Sequence, residues 1–244
     1  MKNILIIGAS HGIGAALAQE FAKEKNNLFL AARDFEALVA LKTQLQTNVE
    51  VFALDAVDEK NVREVLGKIS QIDLFIYCAG TYKPMPVTDI DLSEAKKIID
   101  VNFVGAINCL DVVIKKMLAQ KSGHIALVAS VAGYIGLPKS FAYGASKAAL
   151  INLSETLYAE LSQFGIDVSV INPGFVKTRL TDLNDFKMPA IITPQEAAVI
   201  IIKDLKAKKF EIHFPKKFTI WLKLLKILPY KIILFFTKKI AKRN

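Results

Sequence analysis

The sequence predicts an α/β fold in which a doubly wound parallel sheet lies between two helical layers, giving three layers in all. Short apolar runs alternate with helical patterns from the first residue, which is typical of right-handed β-α-β units. The runs are rich in Ile, Val, Leu and Phe, as expected of strands buried on both faces. Hydrophobic residues make up 52% of the 244 residues, enough for a large core. We expect a single domain over residues 1–215, followed by a basic amphipathic C-terminal tail over residues 216–244.

The predicted strands are short and apolar, and the predicted helices lie between them. The strands are Asn3–Ile7, Leu28–Ala32, Val49–Leu54, Asp73–Tyr77, His124–Ala129, Asp167–Asn172 and Phe210–Phe214. The helices are Ile13–Lys25, Phe35–Gln46, Glu59–Ser70, Ser93–Leu118, Ala142–Phe164 and Pro194–Ala207. Ligands of such sheets bind beyond the carboxyl ends of the strands, and the motifs described next fall there.

The charge of the chain is concentrated at its C-terminus. The net charge is +9, and nine of the 32 Lys and Arg residues but one of the 23 Asp and Glu residues lie from Phe210 onward. Nucleic-acid binders carry a basic stripe on the folded domain, so the nearly neutral body indicates no nucleic-acid partner. The two cysteines, Cys78 and Cys109, lack the spacing of a disulfide framework or a zinc site. We therefore expect no metal, two buried thiols and a reducing cytoplasmic location.

A glycine-rich turn follows the first predicted strand and opens the first helix. It reads GASHGIG over residues 8–14, a GxxxGxG spacing. Glycines permit a tight turn and let backbone N–H groups approach a pyrophosphate at the helix N-terminus. A purely structural turn is the alternative, but the strand before it and the helix after it favour a dinucleotide. The residues expected to bind the dinucleotide are Gly8, Ser10, His11, Gly12, Ile13 and Gly14.

The end of the second predicted strand indicates which dinucleotide is bound. Ala32 at its tip cannot replace a ribose-binding carboxylate, whereas Arg33 suits a 2′-phosphate in charge and geometry, with His11 as a second donor. We therefore expect NADP(H) in preference to NAD(H), although Asp34 lies near the usual offset of a ribose-binding acid. The alternative is that Arg33 is a solvated surface charge and Asp34 caps the next helix. Asp55 would bond the adenine amino group, or merely start the next turn.

A second group of polar residues lies in the middle of the chain. Tyr143 and Lys147 stand at i and i+4 of a predicted helix, so they share one face about 6 Å apart at Cβ. A nearby ammonium favours the phenolate, so we expect it to lower the tyrosine pKa from about 10 and tune Tyr143 as a general acid/base. Ser130 follows a predicted strand, where its hydroxyl can polarise a substrate carbonyl. Asn102 lies upstream of these residues.

Six motifs, in order and in register, resemble the short-chain dehydrogenase/reductase family across about residues 1–215. They are GASHGIG, CAG at Cys78–Gly80, Asn102 in VNFVG, Ser130 in SVAG, YGASK from Tyr143, and NPGFVKT at Asn172–Thr178. The resemblance implies a Rossmann-type domain and an oxidoreductase acting on CH–OH groups. It also implies a catalytic tetrad of Asn102, Ser130, Tyr143 and Lys147.

The resemblance further implies a role for each of these residues. Tyr143 would exchange the proton, Ser130 would hold the carbonyl oxygen, and Lys147 would bind the nicotinamide ribose and depress the tyrosine pKa. Asn102 would hold a water in the proton relay. Further cofactor contacts are implied at Ala79, Gly80, Pro173, Gly174, Val176 and Thr178. A homodimer or homotetramer is implied through the helices of Asn102 and Tyr143.

Two departures from common family patterns refine the expected function. Cys78 replaces an amide of the frequent NNAG motif, so hydrogen bonds there would differ without loss of a catalytic group. The three-residue gap between Tyr143 and Lys147 favours carbonyl–alcohol chemistry over enoyl reduction. We predict an NADP(H)-dependent oxidoreductase that interconverts a ketone or aldehyde and an alcohol by hydride transfer. The alternative is a catalytically idle NADP-binding sensor or membrane-associated scaffold on the same fold, against which the complete tetrad argues.

Apolar residues near the motifs are candidates for a substrate wall. They are Tyr134, Ile135, Leu137, Phe141 and Phe175, which would face an apolar substrate or, equally, pack under a loop. The connector Arg179–Thr193 would act as a short lid. His124 and His213 lie in strand patterns, where we expect structural roles.

The tail is apolar but interrupted by charge. Lys223, Lys226, Lys231 and Pro229 break the stretch, which disfavours a membrane-spanning helix. Two short amphipathic helices separated at Pro229 fit better. Aromatic and aliphatic residues mixed with Lys suit a helix lying in the interface of an anionic bilayer. A cytoplasmic protein would then sit on the inner face of a membrane, with a hydrophobic or lipid-like substrate. The alternative is a tail that covers a sheet edge or a subunit interface.

Overall fold

The centre of the molecule is a parallel β-sheet. The computed structural model describes residues 1–183 and 188–241, and within them the sheet has seven strands in the order β3-β2-β1-β4-β5-β6-β7. The strands are β1 (Asn3–Ile7), β2 (Asn27–Ala32), β3 (Val49–Ala53), β4 (Leu74–Tyr77), β5 (Gly123–Val128), β6 (Ile166–Pro173) and β7 (Glu211–Phe214). The order reverses between β1 and β4, so a crevice opens at their carboxyl ends.

Helices cover both faces of this sheet. They are α1 (Gly12–Ala22), α2 (Phe35–Lys42), α3 (Glu59–Gly67), α4 (Leu92–Ile99), α5 (Gly105–Gln120), α6 (Phe141–Leu161), α7 (Pro194–Lys206), α8 (Lys216–Lys226) and α9 (Tyr230–Ala241). Buried residues of α3, α5 and α6 form one core with the sheet, and those of α1, α2 and α7 form the other. The predicted three-layer, doubly wound α/β fold is therefore confirmed.

The central strands are buried on both faces, which explains their unbroken apolar sequences. Ile6 of β1 pairs with Leu30 of β2 on one side and with Ile76 of β4 on the other. All three side chains are fully buried. Such a strand cannot alternate polar and apolar residues, because neither of its faces meets water.

The predicted helix Ser93–Leu118 is interrupted, which corrects the prediction of one continuous helix. A π-helical turn, Asp100–Val104, lies between α4 and α5. A π turn widens the helix by one residue and is a common device at functional sites. Here it contains the fully buried Asn102, whose amide bonds the backbone of Thr81.

Several predicted helices extend past their actual ends. The predicted ends Lys25, Gln46 and Ser70 lie three or four residues beyond the ends of α1, α2 and α3. Leu45 and Ile69 explain the last two differences, because both leave the helix and still pack on the core. An apolar residue in a turn continues the helical periodicity of the sequence without continuing the helix.

The last two helices form the C-terminal tail. α8 packs against β7, and Pro229 separates α8 from α9. The predicted pair of short helices is thus confirmed. Among residues 1–183 and 188–241, no helix has the length and apolar content needed to cross a bilayer.

Candidate active site

The glycine turn is shaped by close backbone approaches. Gly8 has φ +84°, and a Cβ on it would lie 2.5 Å from the backbone nitrogen of Ala79 at the end of β4. A Cβ on Gly14 would lie 2.2 Å from the carbonyl oxygen of Gly8. The N-cap of α1, His11, makes no side-chain hydrogen bond to the helix, so its first N–H groups are left for an anion.

A cavity of about 850 Å³ follows the carboxyl ends of the strands from β3 to β6. Of the predicted site residues, those that line it are Gly8, Ser10, His11, Gly12, Ile13, Arg33, Asp55, Ala79, Gly80, Ser130, Tyr143, Lys147, Pro173, Gly174, Val176 and Thr178. Gly14 and Asn102 do not line the cavity themselves. Gly14 packs on Gly8 and Asn102 lies beside Gly80, and both of these glycines line it. The structure therefore brings the glycine turn and the polar residues of the middle of the chain to one cavity.

The acids near the second and third strands have structural partners. The carboxylate of Asp34 accepts the backbone N–H of Ala37 at 3.0 Å, which caps α2. Asp55 accepts the N–H of Val57 at 3.0 Å and closes a turn. The structural alternatives that the sequence left open are thus both observed: Asp34 caps α2, and Asp55 lies in a turn. Arg33 is exposed at the cavity wall, and the Nε2 atom of His11 lies 3.6 Å from Asp34.

Ser130, Tyr143 and Lys147 form one group, in which Ser130 and Lys147 are buried and Tyr143 is partly buried. The Ser130 hydroxyl accepts the N–H of Ala132 at 3.1 Å and lies near the Tyr143 hydroxyl, where it favours the phenolate. The Nζ atom of Lys147 lies 5.6 Å from the centroid of the Tyr143 ring and donates to the carbonyl oxygen of Val128 at 2.9 Å. Helix α6 places Tyr143 and Lys147 on the same face, and Ser130 follows β5.

Burial dominates the titration of this group. It raises the pKa of Tyr143 to about 12, against the opposing hydrogen bond from Ser130. Burial also lowers the pKa of Lys147 to about 8. The prediction that the Lys147 ammonium lowers the pKa of Tyr143 below 10 is therefore wrong for the chain alone. The low-dielectric surroundings disfavour phenolate more strongly than the Ser130 hydroxyl favours it.

Asn102 acts as a clamp between three segments. Its Oδ1 accepts the N–H of Thr81 at 2.7 Å, and its Nδ2 donates to the carbonyl of Thr81 and to the hydroxyl of Ser146 on α6. A Cβ on Gly80 would lie 3.4 Å from Asn102 Oδ1 and 3.6 Å from Lys147 Nζ. Asn102 therefore fixes the chain after β4 beside Lys147, and a water-holding role stays a prediction.

The apolar substrate-wall candidates do not line this cavity. Tyr134 is buried, and its hydroxyl donates to the carboxylate of Glu211 at 2.5 Å. Phe175 packs against Phe218 of α8, with ring centroids 5.5 Å apart. The packing alternative thus describes Tyr134 and Phe175. Sequence reasoning missed the partners Glu211 and Phe218, although Glu211 is the one acid in the lysine-rich C-terminal stretch.

The segment after β6 supplies lining residues that the sequence motifs do not include. Thr181 lines the cavity, and its hydroxyl bonds the N–H of Thr178 at 2.9 Å and the carbonyl of Val176 at 2.9 Å. The short spacing between the two threonines is the available sequence signal for such a turn. The proposed lid Arg179–Thr193 includes residues 184–187, which lie outside the described part of the chain.

The remaining candidate residues have structural environments. His124 Nε2 lies 2.8 Å from the Ser169 hydroxyl, and burial lowers its pKa to about 4. His213 Nδ1 lies 2.6 Å from the Thr219 hydroxyl. Cys109 is buried, whereas Cys78 is only partly buried and lines the cavity, which corrects the expectation of two buried thiols.

Comparison with known proteins agrees with this geometry. Residues 2–187 match the short chain dehydrogenase family. An uncharacterized oxidoreductase of Myxococcus xanthus (strain DK1622) is 32% identical over 236 residues, 93% of each chain. An uncharacterized oxidoreductase of Staphylococcus saprophyticus is 32% identical over 213 residues, 84% of this chain and 91% of the relative.

Solved structures share the fold over most of its length. A short-chain dehydrogenase from Sphingobium yanoikuyae in complex with NADPH superposes with a TM-score of 0.79 at 25% identity, covering 87% of each chain. A short-chain type dehydrogenase/reductase from Mycobacterium marinum gives 0.80 at 25% identity, covering 87% of this chain and 93% of that one. The chain belongs to the short-chain dehydrogenase/reductase family of oxidoreductases.

Proposed function

We propose that the protein is an NADP(H)-dependent oxidoreductase that interconverts a ketone or aldehyde and an alcohol. The observation that carries this proposal is the group of Ser130, Tyr143 and Lys147, in one cavity with the glycine turn and Arg33. The residues fit a nicotinamide dinucleotide. The turn has no room for a Cβ, and the start of α1 leaves N–H groups for the pyrophosphate.

The polar group can hold a carbonyl oxygen and move a proton at that atom. When bound, the nicotinamide supplies a hydride to the carbonyl carbon or accepts one from the alcohol. The Ser130 hydroxyl donates a hydrogen bond to the substrate oxygen. In reduction Tyr143 Oη gives that oxygen its proton, and in oxidation it takes the proton back. The Lys147 ammonium stabilises the phenolate that remains after the proton leaves.

The preference for NADP(H) rests on the end of β2. Arg33 lies at the cavity wall, where a guanidinium can pair with a 2′-phosphate through two hydrogen bonds. The carboxylate of Asp34 is engaged by the α2 N-cap and the nearby His11, so it is poorly placed to hold ribose hydroxyls. The NADPH complex of the Sphingobium relative supports the same choice.

Two features of the proposal concern partners. The apolar tail helices favour a hydrophobic or lipid-like carbonyl substrate, met by a cytoplasmic protein at the inner face of a membrane. Exposed apolar side chains on α5 and α6, Ile107 and Tyr158, favour a homodimer or homotetramer through these helices. Sedimentation of the full chain would measure the oligomer directly.

The test of the proposed function is a turnover assay. Loss of NADPH absorbance would be followed on a panel from small diketones to long-chain and sterol ketones. We expect turnover on at least one ketone class, with NADH a weaker donor. Tight NADPH binding without turnover on any member of the panel would contradict the proposal and favour an idle nucleotide-binding sensor.

A further inference from the structure

Helix α8 is apolar on two sides. Phe218 and Leu222 pack on the core, and a second apolar side is directed to solvent. Large apolar side chains point to solvent along its outer side, among them Trp221 at 72% and Ile227, just after the helix, at 78% exposure. The full exposed set is Ile220, Trp221, Leu224, Ile227 and Leu228. A surface helix of a globular protein ordinarily buries such a stripe.

Three of the four lysines of the same helix contact the protein. Lys223 forms an ion pair with the half-buried Glu211. The Nζ atom of Lys216 lies 3.1 Å from His213 Nε2. The Nζ atom of Lys226 lies 5.7 Å from the centroid of the Tyr134 ring. These contacts fix the rotation of α8. Because the three lysines are held against the protein, the apolar side chains on the other side of the helix point outward.

Helix α9 continues the apolar surface. Within Tyr230–Ala241 the buried side chain is Ile233, while Tyr230, Leu234 and Phe235 are more than half exposed. Single exposed apolar residues are ordinary on a protein surface, whereas each of these two helices exposes several. We call the outward apolar side chains of α8 and α9 together the tail face.

The charged side chains of the tail are all positive. The sequence from Lys216 to the C-terminus has no Asp or Glu, and it includes Lys217, Lys231, Lys238 and Lys239, all exposed. Each lysine near an anionic membrane surface adds about a factor of five in affinity. Exposed Trp and Tyr beside aliphatic side chains suit the boundary between headgroups and acyl chains.

We propose that the tail face docks on an anionic lipid bilayer, with α8 and α9 lying in the interface. The proposal deepens the membrane location given above and rests on it. The tail face is linked to the catalytic cavity through Phe218, which packs on Phe175 and against Gly174 of the cavity wall. Docking therefore brings α8, which packs on the cavity wall from its inner side, to the bilayer in which an apolar carbonyl would be dissolved.

Trp221 gives a direct test, because it is the one tryptophan of the chain. Its emission would be recorded with phosphatidylcholine vesicles containing about 30% phosphatidylglycerol, and with phosphatidylcholine alone. We expect a blue shift, quenching by brominated acyl chains, and flotation with the anionic vesicles. Unshifted emission with protein left in the soluble fraction would overturn the proposal. A blue shift that grows with protein concentration in the absence of lipid would also overturn it, because a second copy would then cover the tail face.

A matched pair of variants distinguishes binding through the tail face from non-specific hydrophobic adsorption to vesicles. Ile220→Ser, Leu224→Ser and Ile227→Ser together keep Trp221 and should weaken vesicle binding at least about tenfold. Val87→Ser, Leu92→Ser and Val199→Ser remove three exposed apolar side chains elsewhere and should leave it unchanged. Equal losses in both variants would contradict the docking surface. Tyr143→Phe should float like the wild type, so failure of the catalytic proposal is distinguishable from failure of docking.

Discussion

At the scale of single residues, the cavity contains a cation held almost out of water. Lys147 is 4% exposed, and burial brings its pKa from 10.5 to about 8. Between these two values the folded protein binds fewer protons at this site than the unfolded chain does. The free energy of unfolding contributed by Lys147 therefore rises with pH through that window.

Lys147→Met should stabilise the protein at neutral pH. Removing the buried charge gains about 3 kcal/mol and losing the bond to the Val128 carbonyl costs about 1 kcal/mol, so we expect about 2 kcal/mol, or roughly 4–8 °C in Tm. The gain should shrink as pH rises from about 8 towards 10.5, the folded and unfolded pKa values of Lys147. Thermal unfolding across this range is the measurement, with the exposed Lys203→Met as control. A loss of stability at neutral pH, or a pH-independent gain, would argue against the burial of a charged Lys147.

Arg33→Ala should separate the two nicotinamide nucleotides. If the guanidinium holds a 2′-phosphate, its loss removes charge-assisted hydrogen bonds of about 1.5–3 kcal/mol and weakens NADPH binding roughly 10- to 100-fold. NADH has no 2′-phosphate, so its affinity should change less than about threefold. Titration of both nucleotides checks this, and Arg63→Ala on α3 is the matched control. Parallel losses for NADPH and NADH would remove the basis of the NADP(H) assignment.

At the scale of elements, the turn between β1 and α1 depends on the absence of a side chain. Gly14→Ala places a Cβ against the backbone of Gly8, and backbone cannot rotate away as a side chain can. We expect a loss of about 2–3 kcal/mol in the free energy of unfolding, together with weaker NADPH binding. Gly67→Ala is the control, because nothing lies within 4 Å of its added Cβ and alanine is the better helix former. Unchanged stability and nucleotide affinity in Gly14→Ala would refute the close packing of this turn.

The order of elements could be predicted from the sequence because local and long-range preferences agree there. The apolar run of β1 and the glycine turn after it together predict a buried strand that leads into a helix. The spacing of Tyr143 and Lys147 is enough by itself to place them on one helical face. The π turn around Asn102 could not be predicted, since the residue that Asn102 contacts, Thr81, belongs to another segment. The predicted ends of α2 and α3 were wrong, because Leu45 and Ile69 pack on the core from the turns that follow these helices.

Properties that depend on burial could also not be predicted from the sequence. The spacing of Tyr143 and Lys147 predicts their proximity, but not the desolvation that raises one pKa and lowers the other. Composition predicts an amphipathic tail, but it does not reveal that the lysines of α8 face Glu211 and Tyr134 while Trp221 faces solvent. Both depend on neighbours that are distant in the chain.

At the scale of the whole molecule, the two tail helices differ in how much the body depends on them. α8 buries Thr219 and packs Phe218 and Leu222 on the core, whereas α9 buries Ile233. Removal of residues 230–244 should therefore lower Tm by less than about 3 °C. Removal of residues 216–244 should lower it by at least about 6 °C, because His213, Glu211 and Phe175 lose their partners. Thermal unfolding of the two truncations checks this, and similar shifts would mean that α8 is as peripheral as α9.

The central claim is that this cavity performs proton-coupled hydride transfer through Tyr143. The most direct measurement compares wild type and Tyr143→Phe for both turnover of a reactive ketone and NADPH affinity, with Tyr158→Phe, an exposed tyrosine, as control. We predict that Tyr143→Phe loses at least about 100-fold in turnover while its NADPH affinity stays within about threefold. Turnover that is unchanged in Tyr143→Phe would contradict the claim and leave the cavity as a nucleotide-binding site without this chemistry.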